Sequence, residues 1–227
     1  MSRGAFITFE GSEGCGKSTQ VTRLAMRLEK AGLPVLVTRE PGGTAIGEKI
    51  RDLLQFAPES FAMTPETELL LFEASRSQLV RETIRPALER GSIVISDRFF
   101  DSTTVYQGVA RKLEPEFVAT LNDFAVGPDR PDLTIVLDVD LATARARMLR
   151  RVRPAIAADR MEQEPLEFYE HVCEGYRELA RREPTRIRLL DGSRSPDEVE
   201  NEIWREVSAR FPALFASAET GDAARAQ

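Results

Sequence analysis

Three observations predict a three-layer α/β fold, a five-stranded parallel sheet flanked by helices. Five short β-rich apolar runs recur along the 227 residues, stretches of helical period separate them, and a glycine-rich turn joins the first run to the first helix. Strands that alternate with helices form parallel sheets covered on both faces.

The strand runs are "AFITF" (5–9), "PVLV" (34–37), "SIVIS" (92–96), "LTIVLDV" (133–139) and "RIRLL" (186–190). The first helix starts inside "GKSTQVTRLAMRLEKAG", where Val21, Leu24, Ala25 and Leu28 recur on one face and Gly32 supplies a stop. A further helix opens at Thr64-Pro65, an N-cap followed by proline at the first helical position, and runs to about Arg85. "PLEFYEHVCEGYRELARRE" and "SPDEVENEIWREVSAR" are two more. No internal repeat or linker divides the chain, and the closing "ASAETGDAARAQ" is small and polar. These place one domain at 1–212 and a disordered tail at 213–227.

Composition narrows the chemistry. No run reaches the ~20 apolar residues of a membrane span and no secretory leader opens the chain, so a soluble cytoplasmic protein is expected. Cys15 and Cys173 lie far apart without ligand-like spacing, which argues against a disulfide framework and a zinc site. A formal net charge of −6 disfavours a surface that coats nucleic acid. His171 is the only histidine, so Ser-His and Cys-His nucleophilic chemistry has little room.

Gly11-Ser12-Glu13-Gly14-Cys15-Gly16-Lys17-Ser18 satisfies G-x-x-x-x-G-K-[ST] after a strand and before a helix. Its glycines let backbone N–H groups converge on phosphate oxygens, the helix dipole adds favourable potential, and Lys17 brings a point charge to the β- and γ-phosphates. Ser18 is the expected Mg²⁺ ligand. The sheet is thus of the P-loop NTPase kind, with residues 11–19 as the ATP-binding loop. The guanine-reading N-K-x-D and the transporter L-S-G-G-Q signatures are absent. A small kinase with a second bound substrate remains.

Three segments point to that second substrate. Asp97 and Arg98 follow the third strand, at the carboxyl edge where open α/β sheets bind ligands; Asp97 can organise Mg²⁺ and Arg98 can clamp an acceptor phosphate. On the helix from Pro65, Leu69, Phe72, Leu79 and Val80 form one stripe with Arg76 in its middle. A guanidinium there needs an oxygen partner, either a ligand beside which Phe72 stacks or an internal carboxylate with Phe72 as core. "TREPGGT" (38–44) carries Arg39 and Glu40 to the same edge. Finally, Arg145, Arg147, Arg150, Arg151, Arg153 and Arg160 crowd one region, either a solvated helix face or a lid that closes over the triphosphate.

These residues together identify a resemblance. Over residues 4 to 207 the chain resembles the bacterial thymidylate kinases, on "FEGSEGCGKST", "TREPGGT", "LLFEASRSQ", "SDRFFDSTTVYQG", "LDVDLATARAR" and "DRMEQEPLEFY" in that order. The resemblance implies transfer of the ATP γ-phosphoryl to dTMP. It implies that Phe72 stacks on thymine, Arg76 bonds a thymine carbonyl, and Thr103 and Gln107 line the base pocket. Tyr106 would crowd the 2′ position, Arg98 and Arg51 would hold the acceptor phosphate, and Glu13 and Glu40 would sit near sugar and metal. The loop carries no arginine, so the lid-arginine variant is implied, with Arg151 or Arg153 catalytic in a lid at about 147–165. Arg147 would lie on adenine with the loop after Asp191 opposite it, and a homodimer would form through sheet-flanking helices.

The chemistry agrees with the missing histidines. An acceptor phosphate is already ionised at neutral pH, so in-line positioning and charge neutralisation by Lys17, Mg²⁺, Arg98 and a lid arginine suffice. Two rivals stand beside this reading: a kinase of another nucleotide or of a deoxynucleoside, the latter needing a carboxylate to deprotonate its hydroxyl acceptor, and a nucleotide-binding switch without an acceptor.

Overall fold

The structure is a computed structural model describing residues 3–150 and 160–215, with only the backbone of Glu162. The sequence-predicted lid arginines Arg151 and Arg153 lie outside the described residues.

In chain order the elements are β1 (Phe6–Glu10), α1 (Lys17–Lys30), β2 (Val35–Arg39), α2 (Ala45–Gln55) and a 3₁₀ turn (Pro58–Ala62). Next come α3 (Pro65–Leu79), a π-helical turn (Val80–Ile84), α4 (Arg85–Glu89), β3 (Ile93–Asp97), α5 (Phe100–Thr103) and a second π-helical stretch (Thr104–Ala110). The chain continues through α6 (Pro115–Val126), β4 (Leu133–Asp138), α7 (Leu141–Arg150), a 3₁₀ turn (Arg160–Gln163), α8 (Leu166–Arg182), β5 (Ile187–Asp191) and α9 (Pro196–Arg210). Four elements carry local signatures that fix their starts. Thr44 caps α2 by accepting from the Gly47 N–H, Thr64 caps α3 ahead of Pro65, and Ser195 and Glu198 form a reciprocal capping box on α9. Pro115 opens α6 at its first position.

All five strands are parallel in the order β2-β3-β1-β4-β5. β1 is central and buried on both faces, so its apolar run serves two layers by strand alternation. Ile7 and Phe9 pack with Val21, Leu24 and Leu28 of α1 and Val199, Ile203 and Val207 of α9. Phe6 faces the other way, among Leu79, Val80, Ile84, Leu88 and Phe99. The chain builds β2 and β3 on one side of β1 and then crosses to β4 and β5 on the other. Ligands bind at such a switch point, at the carboxyl ends of the strands.

The structure refines the expected boundaries. The helix expected to end near Arg85 runs on to Glu89 and widens into a π turn before Pro86, which has no N–H to give to the preceding turn. Of the tail expected from residue 213, only residues 213–215 are described. Residues 212–215 are helical, and Leu214 and Phe215 pack on the core beneath Trp204.

One polar seam crosses the interior. Thr8 and Thr134 share a hydroxyl contact of 2.8 Å, and Arg186 binds Thr134 and both oxygens of the fully buried Asp101. Removing one partner of a buried ion pair leaves an uncompensated charge. Arg186→Met is therefore expected to lower unfolding stability by about 3–5 kcal/mol in urea titrations, with part of the loss recovered by adding Asp101→Asn.

Candidate active site

The loop after β1 bends where a side chain would not fit. Gly11 has φ +131°, and a Cβ there would lie 2.6 Å from the Leu137 carbonyl; Gly14 has φ +76°, and a Cβ would lie 2.4 Å from the Ala144 carbonyl. The loop therefore lies pressed between β4 and α7. Helix α1 follows with Gly16 at its N-cap, no side-chain cap and no acidic residue in its first turn, so its amino end keeps its partial positive charge for an anion. The Nζ of Lys17 sits inside the curl, 2.9 Å from the Gly11 carbonyl and 2.8 Å from that of Ser12. At the rim the exposed Ser18 hydroxyl donates to Asp97 Oδ2 at 2.5 Å.

Asp97 and Arg98 arrive at the end of β3, as the sequence predicts. Arg98 has φ +70°, an uncommon backbone for a residue with a Cβ, and it is pinned by its N–H to the Phe9 carbonyl at 2.9 Å. Its Nη1 binds the Gly11 carbonyl and Ser102 Oγ, and its Nη2 binds Glu13 Oε1 at 2.6 Å and Tyr106 OH at 3.3 Å. Burial alone would raise the Glu13 carboxyl. The guanidinium of Arg98 and the ammonium of Lys17, helped by the Tyr106 hydroxyl, hold it below the usual range.

Among the cavities that border this loop, two are lined by expected site residues. Glu13, Pro41, Gln55, Phe72, Arg98, Ser102, Thr103, Tyr106, Gln107 and Met161 line the first. Six residues expected on the acceptor side are thus gathered from four separate segments. The seventh, Arg51, reaches the same wall by donating to the Pro41 carbonyl at 3.0 Å. The second cavity is lined by Gly14, Cys15, Gly16 and Thr19 of the loop and by Arg147, Gly192, Arg194 and Pro196. There Arg147 is held directly by the loop that follows Asp191, through the Gly192 carbonyl at 2.8 Å and the Ser193 carbonyl at 3.2 Å.

The structure places two of the expected acceptor residues, Arg76 and Glu40, off the cavity wall. Arg76 is 1% exposed and turned into the interior, where it makes four hydrogen bonds and an ion pair with protein groups. Nε and Nη2 meet Glu40 Oε2, Nη1 binds Glu73 Oε1 and Asn122 Oδ1, and Nη2 also binds Thr103 Oγ1. The oxygen its position demands is thus an internal carboxylate, the alternative its stripe left open. Glu40, 5% exposed, belongs to this cluster rather than to the cavity wall. Arg160 is likewise no free lid cation, being buried against Glu68 and the Leu54 carbonyl. Arg39 at the edge pairs with Glu48.

Sequence reasoning missed the supports. Glu10, fully buried at the end of β1, accepts from the Phe99 and Ser102 backbone N–H groups, from Ser102 Oγ and from Tyr176 OH. It thereby caps α5, whose own N-cap supplies no side chain. The signal was a carboxylate attached to an apolar strand, "FITFE", which has to find donors when buried. Gln55 lines the acceptor cavity, and its buried amide oxygen has no protein partner.

With Arg76 between two carboxylates, the cluster would be net negative if both were ionised. Burial outweighs Arg76 and pushes the Glu40 carboxyl up to about 7, and burial also raises Glu73. A carboxyl raised in the folded state binds more protons folded than unfolded between about pH 4.5 and 7, so its contribution to stability is full below that window and is lost as pH rises through it. Glu40→Gln is expected to flatten the fall in stability of the wild type between pH 5 and 7.5, read as urea midpoints at the two ends.

The chain matches known proteins over most of its length. The family model described as "Thymidylate kinase" matches residues 9–203. The thymidylate kinase of Symbiobacterium thermophilum is 47% identical over 215 residues, 95% of this chain and 98% of that protein. The thymidylate kinase of Geobacter sulfurreducens is 51% identical over 84% of this chain and 90% of its own. The crystal structure of thymidylate kinase from Ehrlichia chaffeensis superposes with a TM-score of 0.73 at 32% identity, covering 91% of this chain and 99% of that one.

Proposed function

The chain belongs to the thymidylate kinase family, and we propose that its two cavities hold ATP and dTMP on opposite sides of the phosphate loop. It is a nucleoside monophosphate kinase, a phosphotransferase that moves the γ-phosphoryl of ATP to dTMP and yields dTDP and ADP. The observation that carries the assignment of sites is the convergence of Glu13, Phe72, Arg98, Thr103, Tyr106 and Gln107 on one cavity beside the loop.

In the donor cavity the backbone of 11–16 and the N–H groups at the start of α1 cradle the phosphates, with Lys17 on the β- and γ-phosphates and Thr19 beside them. Arg147, held by the Gly192 and Ser193 carbonyls, packs on the adenine. In the acceptor cavity Phe72 stacks on the base, Thr103 and Gln107 face its edge, and Tyr106 crowds the 2′ position, favouring deoxyribose. Arg98 and Arg51 hold the acceptor phosphate. Glu13 keeps the guanidinium of Arg98 in place through its 2.6 Å contact. One phosphate oxygen of dTMP attacks the γ-phosphorus as the bond to the β-phosphate oxygen breaks. No general base is needed, because that oxygen carries no proton at neutral pH.

Magnesium fits the donor set. Ser18 Oγ and Asp97 Oδ2 are adjacent hard oxygens at the loop rim, and among the described residues no group of three or more acidic, histidine or cysteine side chains gathers elsewhere to hold a metal. Phosphate oxygens and water would complete the shell. When bound, the cation neutralises charge on the phosphoryl in transfer.

One kinase domain with a lid at about 147–165 accounts for the basic segment, and Arg151 or Arg153 is the arginine that reaches the transferred phosphoryl on closure. A homodimer is supported by exposed apolar side chains on the adjoining helices α2, α3 and α6: Ile46, Leu53, Leu70, Phe117 and Phe124. A cytoplasmic location fits a described structure in which no helix is long and apolar enough to cross a membrane, with both cysteines, Cys15 and Cys173, unpaired.

An ADP-release assay over a panel of nucleoside monophosphates, with thymidine as a control, tests the function. Turnover that depends on dTMP is expected; turnover with thymidine, or without any acceptor, would favour one of the two rivals. Arg153→Ala is expected to slow single-turnover phosphoryl transfer by about 100-fold with little change in the Kd for either nucleotide, and wild-type single-turnover speed would remove this arginine from catalysis.

A further inference from the structure

Two buried charges stand behind the acceptor cavity, Glu68 against Gln107 and Arg76 against Thr103. Gln107, 1% exposed, donates from Nε2 to Glu68 Oε1 at 2.6 Å, and Glu68 is itself 1% exposed. Burial alone would raise the Glu68 carboxyl, but Arg111, together with hydrogen bonds from Gln107 and Arg160, holds it below the usual range. Arg111 reaches both of its oxygens, at 3.3 and 3.2 Å, and Arg160 Nη2 binds Oε2. Glu164, 2.5 Å from Arg111, completes a cluster of two carboxylates and two guanidiniums whose formal charges cancel. The carboxylate therefore stays ionised without leaving net charge in the interior.

An ionised carboxylate only accepts hydrogen bonds. The Gln107 amide must turn its NH₂ end toward Glu68, because the flipped amide would set carbonyl oxygen against carboxylate oxygen. That leaves the carbonyl oxygen for the cavity that Gln107 lines. Four residues earlier, Thr103 lines the same cavity and accepts from Arg76 Nη2 at 2.9 Å. Its own hydroxyl hydrogen is then the part left to donate. The wall offers an acceptor and a donor one helical turn apart.

A 4-oxo pyrimidine presents the complement, a donor at N3–H beside an acceptor at O4. A 4-amino pyrimidine presents the reverse. We propose that Glu68 is a positioning residue for base choice, fixing the Gln107 carboxamide so that the cavity accepts from N3–H and turns away 4-amino pyrimidines. The inference rests on the reading of this cavity as the thymine site. A mismatched base would leave buried polar groups facing like groups, the situation in which discrimination is largest.

Glu68→Gln keeps the shape while offering an amide that can donate or accept, which frees Gln107 to flip. The readout is kcat/KM for dTMP against 5-methyl-dCMP, which differ only at the N3 and C4 edge. The wild type is expected to prefer dTMP by about 100-fold or more. Glu68→Gln is expected to shrink that ratio by about 10-fold or more, through KM of the monophosphate, while KM for ATP stays put. In a Gln107→Leu background Glu68→Gln should change the ratio no further. An unchanged ratio in a Glu68→Gln protein with wild-type Tm would overturn the proposal, as would an equal drop in the Gln107→Leu background. Should Glu68→Gln fail to fold, wild-type enzyme with 3-methyl-dTMP decides: a loss of about 30-fold or more supports a required N3–H, and turnover equal to that of dTMP overturns it. Failure of the wild type on dTMP itself would sink the assignment of function instead, so the two failures are distinguishable.

Discussion

The guanidinium of Arg98 ties the phosphate loop to the acceptor cavity, and the placement of both depends on it. Its Nη1 holds the Gly11 carbonyl and Ser102, and its Nη2 holds Glu13 and the Tyr106 hydroxyl, so each nitrogen joins the loop to the cavity wall. Phosphoryl transfer between two nucleotides is chiefly a problem of positioning and of charge. A single cation that contacts both the loop and the cavity wall ties their positions together and supplies positive potential between them. Its left-handed backbone costs about 1 kcal/mol or more and survives because β1 and Glu10 hold the turn from both sides.

The acceptor cavity is rigid because its floor is ionic. Arg76 gathers Glu40, Glu73, Asn122 and Thr103; Glu68 gathers Gln107, Arg111 and Arg160; Glu10 gathers the start of α5 with Ser102 and Tyr176. Buried charges are costly unless they are paired or hydrogen-bonded, and each of these is, although Glu40 Oε1 and Glu73 Oε2 find no hydrogen-bond partner among the described residues. A cavity with such a floor presents fixed dipoles to its ligand and needs little reorganisation when charge shifts in the reaction. The π-helical stretch that carries Tyr106 and Gln107 fits this role, since such turns recur at functional sites and here aim both side chains at one cavity.

The donor side was legible because its chemistry is local. Gly11, Gly14, Gly16, Lys17 and Ser18 are contiguous, and the strand before them and helix after them follow from short-range pattern. The acceptor side was legible mainly through resemblance, since Glu13, Phe72 and the stretch from Arg98 to Gln107 come from separate segments that only the folded sheet brings together. Arg76 marks the limit. Periodicity placed its guanidinium on an apolar stripe and demanded an oxygen partner, yet could not tell a substrate carbonyl from Glu40, thirty-six residues away in the sequence.

The amino-acid sequence by itself determined the strand and helix alternation, the parallel sheet and the phosphate loop, because each rests on spacing within a few residues and on which side chains water excludes. Tertiary structure alone decided which charged residues face a ligand and which face one another. Glu68, Glu10 and Glu40 look alike in sequence, and their roles are set by donors that arrive from other strands and helices. Burial makes such pairings obligatory, because an ion that leaves water must find its counter-charge wherever the chain's path happens to bring it.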